Sequence, residues 1–252
     1  MMRLVRVTAG WLLVALGCGR SEPPPRVAVQ PPTKIAARPE ARAVTIAARP
    51  EARAVTIIDV PMKWSAERAR LTLDYRKRHS DETATDLEIE PRAIVLHYTA
   101  GGSAKGTRSY FDNVRIEASR KELAAGGAVN VSSHYLVDRD GTIYRLQPET
   151  RFARHCIGLN HIAIGVENVG DENKWPLTDA QVAANAALVR DLAARFPITH
   201  LLGHHEVMGF KKHAYYVERD PKYANDKGDP GAKFMTKVRA LVADLKLSGP
   251  SS

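Results

Sequence analysis

The chain has 252 residues, of which 44% are apolar and 26% are charged, an ordinary globular composition with room for one substantial domain. The formal net charge is +9, but the basic residues are scattered rather than interleaved with aromatic ones. The charge therefore does not indicate a nucleic acid partner, although it favours encounter with anionic polymers.

The first 18 residues have the pattern of an export signal. MMRLVR carries two arginines and leads into VTAGWLLVAL, an apolar stretch far shorter than the roughly 20 residues needed to span a bilayer. The following ALGCGR is similar to the lipobox of bacterial lipoproteins, although Ala15 stands where that motif usually has leucine. We therefore predict a signal peptide over residues 1–18, with Cys18 as the lipidated first residue of an exported, membrane-anchored protein of the cell envelope. The alternatives are a signal peptide cleaved without lipidation and a segment that merely stays embedded.

Residues 19–60 are rich in proline, arginine and alanine and poor in aromatic residues, which predicts a disordered tether. Within it AARPEARAVTI occurs twice, at 36–46 and 47–57. Two short copies do not amount to a repeat architecture, so we interpret them as a linker duplication. Residues 61–90 are an N-terminal extension with one helix-like stretch, SAERARLTLDYRKRH, to which the sequence assigns no role. His79, at the end of that charged stretch, is expected to be solvated.

From residue 91 to residue 247 strand-like and helix-like segments alternate. The expected strands are AIVLHYT, SSHYLVD, TIYRLQ, IAIGVENVG and ITHLLGHH, and the expected helices are GTRSYFDNVRIEASRKELA, LTDAQVAANAALVRDLAARF and GAKFMTKVRALVADLKL. Asp140-Gly141 is a hairpin signal between the second and third strands, and Thr178 and Gln181 have the spacing of a capping box. The pattern predicts an α/β domain with a central mixed β-sheet flanked by helices.

Two histidines stand at the ends of predicted strands, where α/β sheets gather their functional residues. His97 lies near the end of AIVLHYT and is followed by a loop with two glycines, and His204 follows a glycine at the end of ITHLLGHH. Strand alternation would place His205 on the opposite face from His204. A catalytic zinc site takes three protein ligands and leaves one position for water. Asp229 and Asp220, each followed by proline, are rival candidates for the third ligand, and spacing alone does not separate them.

Six segments, taken in order, resemble a known family. They are IVLHYTAGG, SSHYLVDRDGTIYRL, RHCIG, AIGVENVG, LLGHHE and KGDPGAKF. Together they resemble the zinc-dependent N-acetylmuramoyl-L-alanine amidases related to the peptidoglycan-recognition proteins, over about residues 91–247. The resemblance implies a single catalytic domain of that fold and a bound Zn²⁺. It also implies hydrolysis of the amide between the lactyl group of N-acetylmuramic acid and L-alanine, in peptidoglycan or a released muropeptide.

The resemblance also implies roles for individual residues. The zinc ligands fall on His97, His204 and Asp229, which favours Asp229 over its rival. Glu167 falls on the glutamate of the family's strand motif and is the expected general base. Lys227, two residues before the aspartate, is the expected cation beside the oxyanion.

Two further residues, His155 and Asn168, are candidates for contacting substrate. His155 falls in the position of the family's His-Ala-Gly segment, and Asn168 directly follows Glu167. Glu167 alternates with Gly165 and Ala163 along one strand face, and these small neighbours predict open volume beside the carboxylate.

The segment between His204 and Asp229 is much longer here than in typical family members. An insertion within residues 205–226, roughly VMGFKKHAYYVERDPKYAND, must therefore loop out. It contains His213, so it either covers the substrate groove, which we favour, or supplies a substitute ligand. Two other functions stay open at this point. One is a non-catalytic peptidoglycan-binding module, although such proteins typically lack one of the three ligands, and the other is cleavage of a bond within the stem peptide.

Overall fold

The computed structural model describes residues 56–250. The predicted signal peptide, Cys18 and most of the predicted tether lie outside the described residues, so these predictions stay untested. Within residues 56–250, no helix combines the length and the apolar character needed to cross a membrane.

The described chain forms one six-stranded sheet with helices packed on it. The strands are β1 (Ile57–Asp59), β2 (Ala93–Tyr98), β3 (Tyr135–Val137), β4 (Ile143–Arg145), β5 (Ala163–Asn168) and β6 (His200–Gly203). The helices are α1 (Ala66–His79), α2 (Ala104–Asp112), α3 (Lys121–Gly126), α4 (Asp179–Arg195) and α5 (Ala232–Leu241), with 3₁₀ helices at His204–Phe210 and Ala243–Leu245. The strand order is β1-β4-β3-β5-β2-β6. Only the β3–β4 pair is antiparallel among these strands, so the predicted mixed α/β sheet is confirmed.

The predicted hairpin turn and the predicted helix cap are both present in the structure. The hairpin between β3 and β4 turns at Gly141, which has a positive φ of 89°, a conformation that glycine adopts without steric cost. At the start of α4, the side chain of Thr178 accepts a hydrogen bond from the backbone of Gln181, and the Gln181 side chain accepts one from the backbone of Thr178.

The long helix predicted after β2 is wrong, because the segment forms two short helices, α2 and α3. The segment between them pairs with the chain that follows α3. Asn130 donates a backbone hydrogen bond to Val114 (2.9 Å), and Ile116 donates one to Ala128 (3.0 Å). These long-range bonds hold the chain extended where helical periodicity would have continued, an outcome set by tertiary pairing rather than by propensity.

The predicted boundary of the tether at residue 60 is also wrong at its C-terminal end. Strand β1 lies inside that range and pairs in parallel with β4. The extension that follows is packed against the domain, since α1 buries one face that includes Leu71, Tyr75 and His79. The expectation that His79 is solvated is wrong, because this residue is only 2% exposed.

Side chains on β2 and β5 alternate between two packed layers. Ile94 and Leu96 face a core shared with α4 and α5, whereas Ala93 and Val95 pack in a second core on the other face. Successive strand residues point to opposite faces, so His97 projects on the side away from α4 and α5. This face carries the candidate site.

Candidate metal centre and groove

Three side chains from distant parts of the chain meet at one edge of the sheet. His97 is the penultimate residue of β2, and β6 pairs with β2 so that Gly203 lies opposite Leu96. His204 therefore comes beside His97 directly after β6 ends. Asp229 is held in the turn before α5, where its carbonyl accepts a hydrogen bond from the backbone N–H of His205 (2.8 Å). The structure thus brings together the three residues predicted as ligands.

The distances among the three donor atoms suit a tetrahedral metal ion. Nδ1 of His97 lies 3.0 Å from Nδ1 of His204, and each of these nitrogens lies 3.3 Å from Oδ2 of Asp229. Tetrahedral ligands at zinc distances stand about 3.3 Å from one another. Two imidazoles and one carboxylate are also a donor set that zinc accepts, so the residues present fit the predicted cofactor. Among the described residues these three form the group that could hold a metal ion.

The electrostatic environment keeps the donors in the forms that coordinate a cation. Burial, reinforced by the proximity of His204, lowers the pKa of His97 to about 4, so that its imidazole is neutral at pH 7. Burial opposes ionisation of Asp229, but its contacts with His204 and His97 outweigh this effect and hold the pKa of the carboxyl well below its usual range. Metal ligands of these types bind as neutral imidazole and ionised carboxylate.

The three donors open onto a groove of about 640 Å³, within the usual size of small-molecule sites. Its lining includes the metal-binding candidates His97, His204 and Asp229, the predicted functional residues Glu167, Lys227 and His155, and the aromatic residues Tyr75, Tyr98, Tyr110, Phe111 and Tyr223. The groove therefore combines aromatic side chains with charged and polar ones, and such a combination can fix the orientation of a ligand.

Glu167 lies next to His97, because the two residues are directly paired in the register of β5 and β2. Its Oε2 is buried and has no hydrogen-bond partner among the described residues. Burial, with a contribution from the nearby charge of Asp229, raises the pKa of Glu167 well above its usual value. A carboxylate held next to a metal-binding cluster with an unpartnered oxygen is available to exchange a proton with a ligand in the groove.

Lys227 also lines the groove. Its charge acts on His97, contributing to the lowered pKa of that residue after burial and His204. The two residues predicted as catalytic therefore lie in the same groove as the metal-binding cluster.

The prediction that Asn168 contacts substrate is wrong. Asn168 is fully buried, and its position on β5 turns it away from the groove toward α4. There Asn185 donates a hydrogen bond to its Oδ1 (2.6 Å), while Asn168 itself donates to the backbone carbonyl of His97 (3.0 Å). Asn168 thus supports the backbone of a candidate ligand. Asn185, a polar residue on the buried face of α4, was a sequence signal that pattern reading missed.

His155 lines the groove as predicted, but its polar atoms are directed into the protein. Its Nδ1 is 3.0 Å from Nε2 of His97, and its Nε2 is 3.1 Å from the carbonyl oxygen of Ala163. Burial, reinforced by the neighbouring His97 and His134, holds the pKa of His155 well below its usual value, so the ring is neutral. Glu167 borders the groove, so open volume is present beside its carboxylate as predicted. Gly165 does not provide this volume, because the His155 ring fills the space there. A Cβ at Gly165 would lie 2.7 Å from Cγ of His155.

The insertion contributes to the wall of the groove through Tyr223, Asn225 and Asp226. The Tyr223 hydroxyl accepts a hydrogen bond from the guanidinium of Arg154 (2.8 Å). Its ring packs so closely on Gly126 that a Cβ there would lie 2.3 Å from Tyr223 Cζ. Tyr223 was not singled out from the sequence, since nothing local distinguishes it from the other tyrosines of the insertion.

The rival ligands in the insertion lie elsewhere. His213 stacks on Phe210 with ring centroids 4.1 Å apart and packs beside His200. The Asp220 carboxylate accepts a hydrogen bond from Arg78 (2.8 Å). Neither belongs to the metal-binding cluster.

Comparison with known proteins identifies the family of the chain. The Amidase_2 family, described as N-acetylmuramoyl-L-alanine amidase, matches residues 87–232, which is more than half of the chain. The endolysin of Escherichia phage T7 is 33% identical over 120 residues, covering 46% of this chain and 75% of the endolysin. The endolysin of Enterobacteria phage T3 is 32% identical over 130 residues, covering 48% of this chain and 82% of that endolysin. Among solved structures, N-acetylmuramoyl-L-alanine amidase LysC from Clostridium intestinale URNW is 23% identical with a TM-score of 0.49, covering 77% of this chain and 100% of LysC.

The chain therefore belongs to the N-acetylmuramoyl-L-alanine amidase family, and the resemblance expected from its motifs is confirmed. The family match begins at residue 87, four residues before the predicted start of the domain. Helix α1 and strand β1 precede the matched region.

Proposed function

We propose that this protein is a zinc-dependent amidase that hydrolyses the bond between the lactyl group of N-acetylmuramic acid and L-alanine in peptidoglycan. The observation that carries the proposal is the convergence of His97 Nδ1, His204 Nδ1 and Asp229 Oδ2 at 3.0–3.3 Å, with Glu167 beside them on the adjacent strand. Membership of the amidase family and the similarity to two phage endolysins support peptidoglycan as the substrate class.

In this proposal His97, His204 and Asp229 hold the zinc ion. When bound, such an ion supplies Lewis acidity, which lowers the pKa of water to about 7 and polarises a carbonyl group. Glu167 takes a proton from the attacking water and delivers it to the departing nitrogen of L-alanine, because its raised pKa brings proton uptake and release closer to neutral pH. The C–N bond breaks, and the products are a lactyl carboxylate and a free α-amine. Lys227 stabilises the negative charge that develops on the carbonyl oxygen.

The test uses the purified protein on isolated sacculi, with products identified by mass spectrometry. We expect free stem peptides with an N-terminal L-alanine, no product after zinc is removed by a chelator, and recovery when zinc is restored. Glu167→Gln should lower the rate by about 10²–10⁴-fold, the usual contribution of a general acid–base group, while zinc content stays unchanged. Full activity in the Glu167→Gln variant would refute the assignment of the base.

The same experiment separates the other candidate functions. A protein that binds zinc and sacculi but releases no product would be a binding module of the same fold. Products whose peptides have lost L-alanine would indicate cleavage within the stem. We favour hydrolysis over binding alone because all three donor residues are present and converge. We favour the lactyl amide over a bond within the stem because the matching family is described as N-acetylmuramoyl-L-alanine amidase.

We further propose that the protein is exported and anchored to a membrane through lipidated Cys18. The proposal rests on the short apolar segment with its two arginines and on the small residues before Cys18. Metabolic labelling with a radioactive fatty acid should label the protein that has Cys18 but not a Cys18→Ala variant. The variant should no longer be found in the membrane fraction. Equal labelling of the two proteins would contradict the lipidation.

A further inference from the structure

The hydrogen on the His155 ring can be located from its neighbours. Nε2 of His155 lies 3.1 Å from the carbonyl oxygen of Ala163. A carbonyl oxygen can only accept a hydrogen bond, so Nε2 is the nitrogen that carries the hydrogen. A neutral imidazole has one N–H, and therefore Nδ1 of His155 has a lone pair and is an acceptor.

This assignment determines the tautomer of His97. The acceptor Nδ1 of His155 lies 3.0 Å from Nε2 of His97, so Nε2 of His97 must donate the hydrogen bond. The other nitrogen of the neutral His97 ring, Nδ1, then has its lone pair free. Nδ1 is also the atom that lies 3.0 Å from His204 and 3.3 Å from Asp229.

The His155 ring is itself held in place by contacts that do not involve the groove. Its backbone N–H donates to Oδ1 of the buried Asn160 (2.9 Å), which fixes the loop. The ring lies against the backbone of β5 in the space where Gly165 lacks a side chain. The backbone of Gly165 is fixed in turn by His134, which accepts a hydrogen bond from its N–H (2.9 Å).

We propose that His155 is a positioning residue for the metal centre. By accepting a hydrogen bond from Nε2 of His97, it selects the tautomer and the ring orientation in which Nδ1 of His97 binds the zinc ion. The inference rests on the proposed function and deepens it. It replaces the expected role of His155 in contacting substrate with a role in orienting the metal ligand His97. Mutation of a residue that forms a hydrogen bond to a metal ligand typically lowers metal affinity by about 10–100-fold.

Two conservative variants separate the two hydrogen bonds of His155. In His155→Asn the amide oxygen can take the place of Nδ1, so the acceptor for His97 is kept and the bond to Ala163 is lost. In His155→Gln the longer side chain reaches the position of Nε2, so the bond to Ala163 is kept and the acceptor for His97 is lost. Zinc affinity is measured on the whole protein without substrate, by competition with a chromogenic chelator. Thermal unfolding of each zinc-free variant shows whether it is folded.

We expect His155→Gln to bind zinc about 10–100-fold more weakly than the unmodified protein and His155→Asn to bind it with nearly unchanged affinity. Gly165→Ala, which keeps the imidazole but displaces the ring, should also weaken zinc binding. This variant decides the question if His155→Gln does not fold. The matched control is His161→Asn, a histidine of the same segment outside the metal cluster, and it should bind zinc normally.

Equal zinc affinity in the Asn and Gln variants, whether both normal or both weakened, would overturn the proposal. Normal zinc affinity with a raised KM for muropeptide would restore the role in substrate contact. These results differ from a failure of the proposed function, in which the unmodified protein itself would bind no zinc or release no stem peptide.

Discussion

Asp229 and Asp220 are both followed by proline, and the residues alone did not decide which one completes the metal site. Their surroundings now differ clearly, since Asp229 contacts both histidines, whereas Asp220 pairs with Arg78 at the surface. We predict that Asp229→Ala lowers zinc affinity by more than the roughly 100-fold that loss of an outer partner costs. Asp220→Ala is the matched control and should retain zinc. Metal analysis of the two purified variants is the measurement, and zinc loss in the Asp220 variant alone would contradict the assignment.

Lys227 is predicted to contribute to the reaction rather than to metal binding. If its ammonium stabilises charge that develops only during reaction, Lys227→Met should lower kcat by about 10²-fold and leave zinc affinity unchanged. Lys222→Met, which removes an exposed lysine of the insertion, should leave kcat unchanged. A loss of zinc in Lys227→Met would show that the lysine acts on the metal centre rather than on the reaction.

At the scale of elements, the insertion is held by helix α1. His79 on α1 is within hydrogen-bond distance of Glu218 (2.8 Å) and of the Gly126 carbonyl (2.6 Å), with 2% and 5% of the His79 and Glu218 side chains exposed. A second pair joins Arg219 of the insertion to Glu82, whose side chain is 68% exposed. The buried His79–Glu218 pair therefore holds the insertion, whose Tyr223 lines the groove, against α1.

We predict that Glu218→Gln costs about 1–3 kcal/mol of unfolding free energy, because it removes the charged partner of a buried histidine. The matched change Glu82→Gln, at a solvent-exposed pair, should cost less than about 1 kcal/mol. Urea denaturation measures both values, and limited proteolysis should cut the insertion faster in the Glu218 variant. Equal stability losses would show that burial of the hydrogen-bonded pair does not decide its contribution.

At the scale of the whole molecule, buried histidines make stability depend on pH. Burial lowers the pKa of His134 from 6.5 to about 4, although its contact with the Arg151 carbonyl acts in the opposite direction. Between these two values the unfolded chain takes up a proton on this residue and the folded chain does not. The unfolding free energy should therefore fall as the pH is lowered from about 6.5 toward 4, with a slope of up to about 1.4 kcal/mol per pH unit for one such group.

The measurement is urea denaturation at several pH values, for the unmodified protein and for His134→Gln. The variant lacks the titrating group, so its stability should depend less steeply on pH in this window even if it is less stable throughout. Identical slopes in the two proteins would exclude His134 as a source of the dependence.

The sequence by itself determined the features that local interactions control. The Asp140-Gly141 hairpin, the Thr178 cap and the alternating strands arise from backbone preferences and hydrogen bonds between residues close in the chain. The ordered motifs also indicated the family, and the three donor residues could be named because the family's motifs fall on them.

Only the tertiary structure decided the features that depend on distant neighbours. The helix after β2 breaks because residues 114–116 pair with residues 128–130. Asn168 faces α4 rather than the groove, and His155 turns its nitrogens toward His97 and Ala163. The physical reason is common to all three, since each outcome depends on which hydrogen-bond partner becomes available after remote segments pack together. Periodicity and spacing along the chain do not predict that partner.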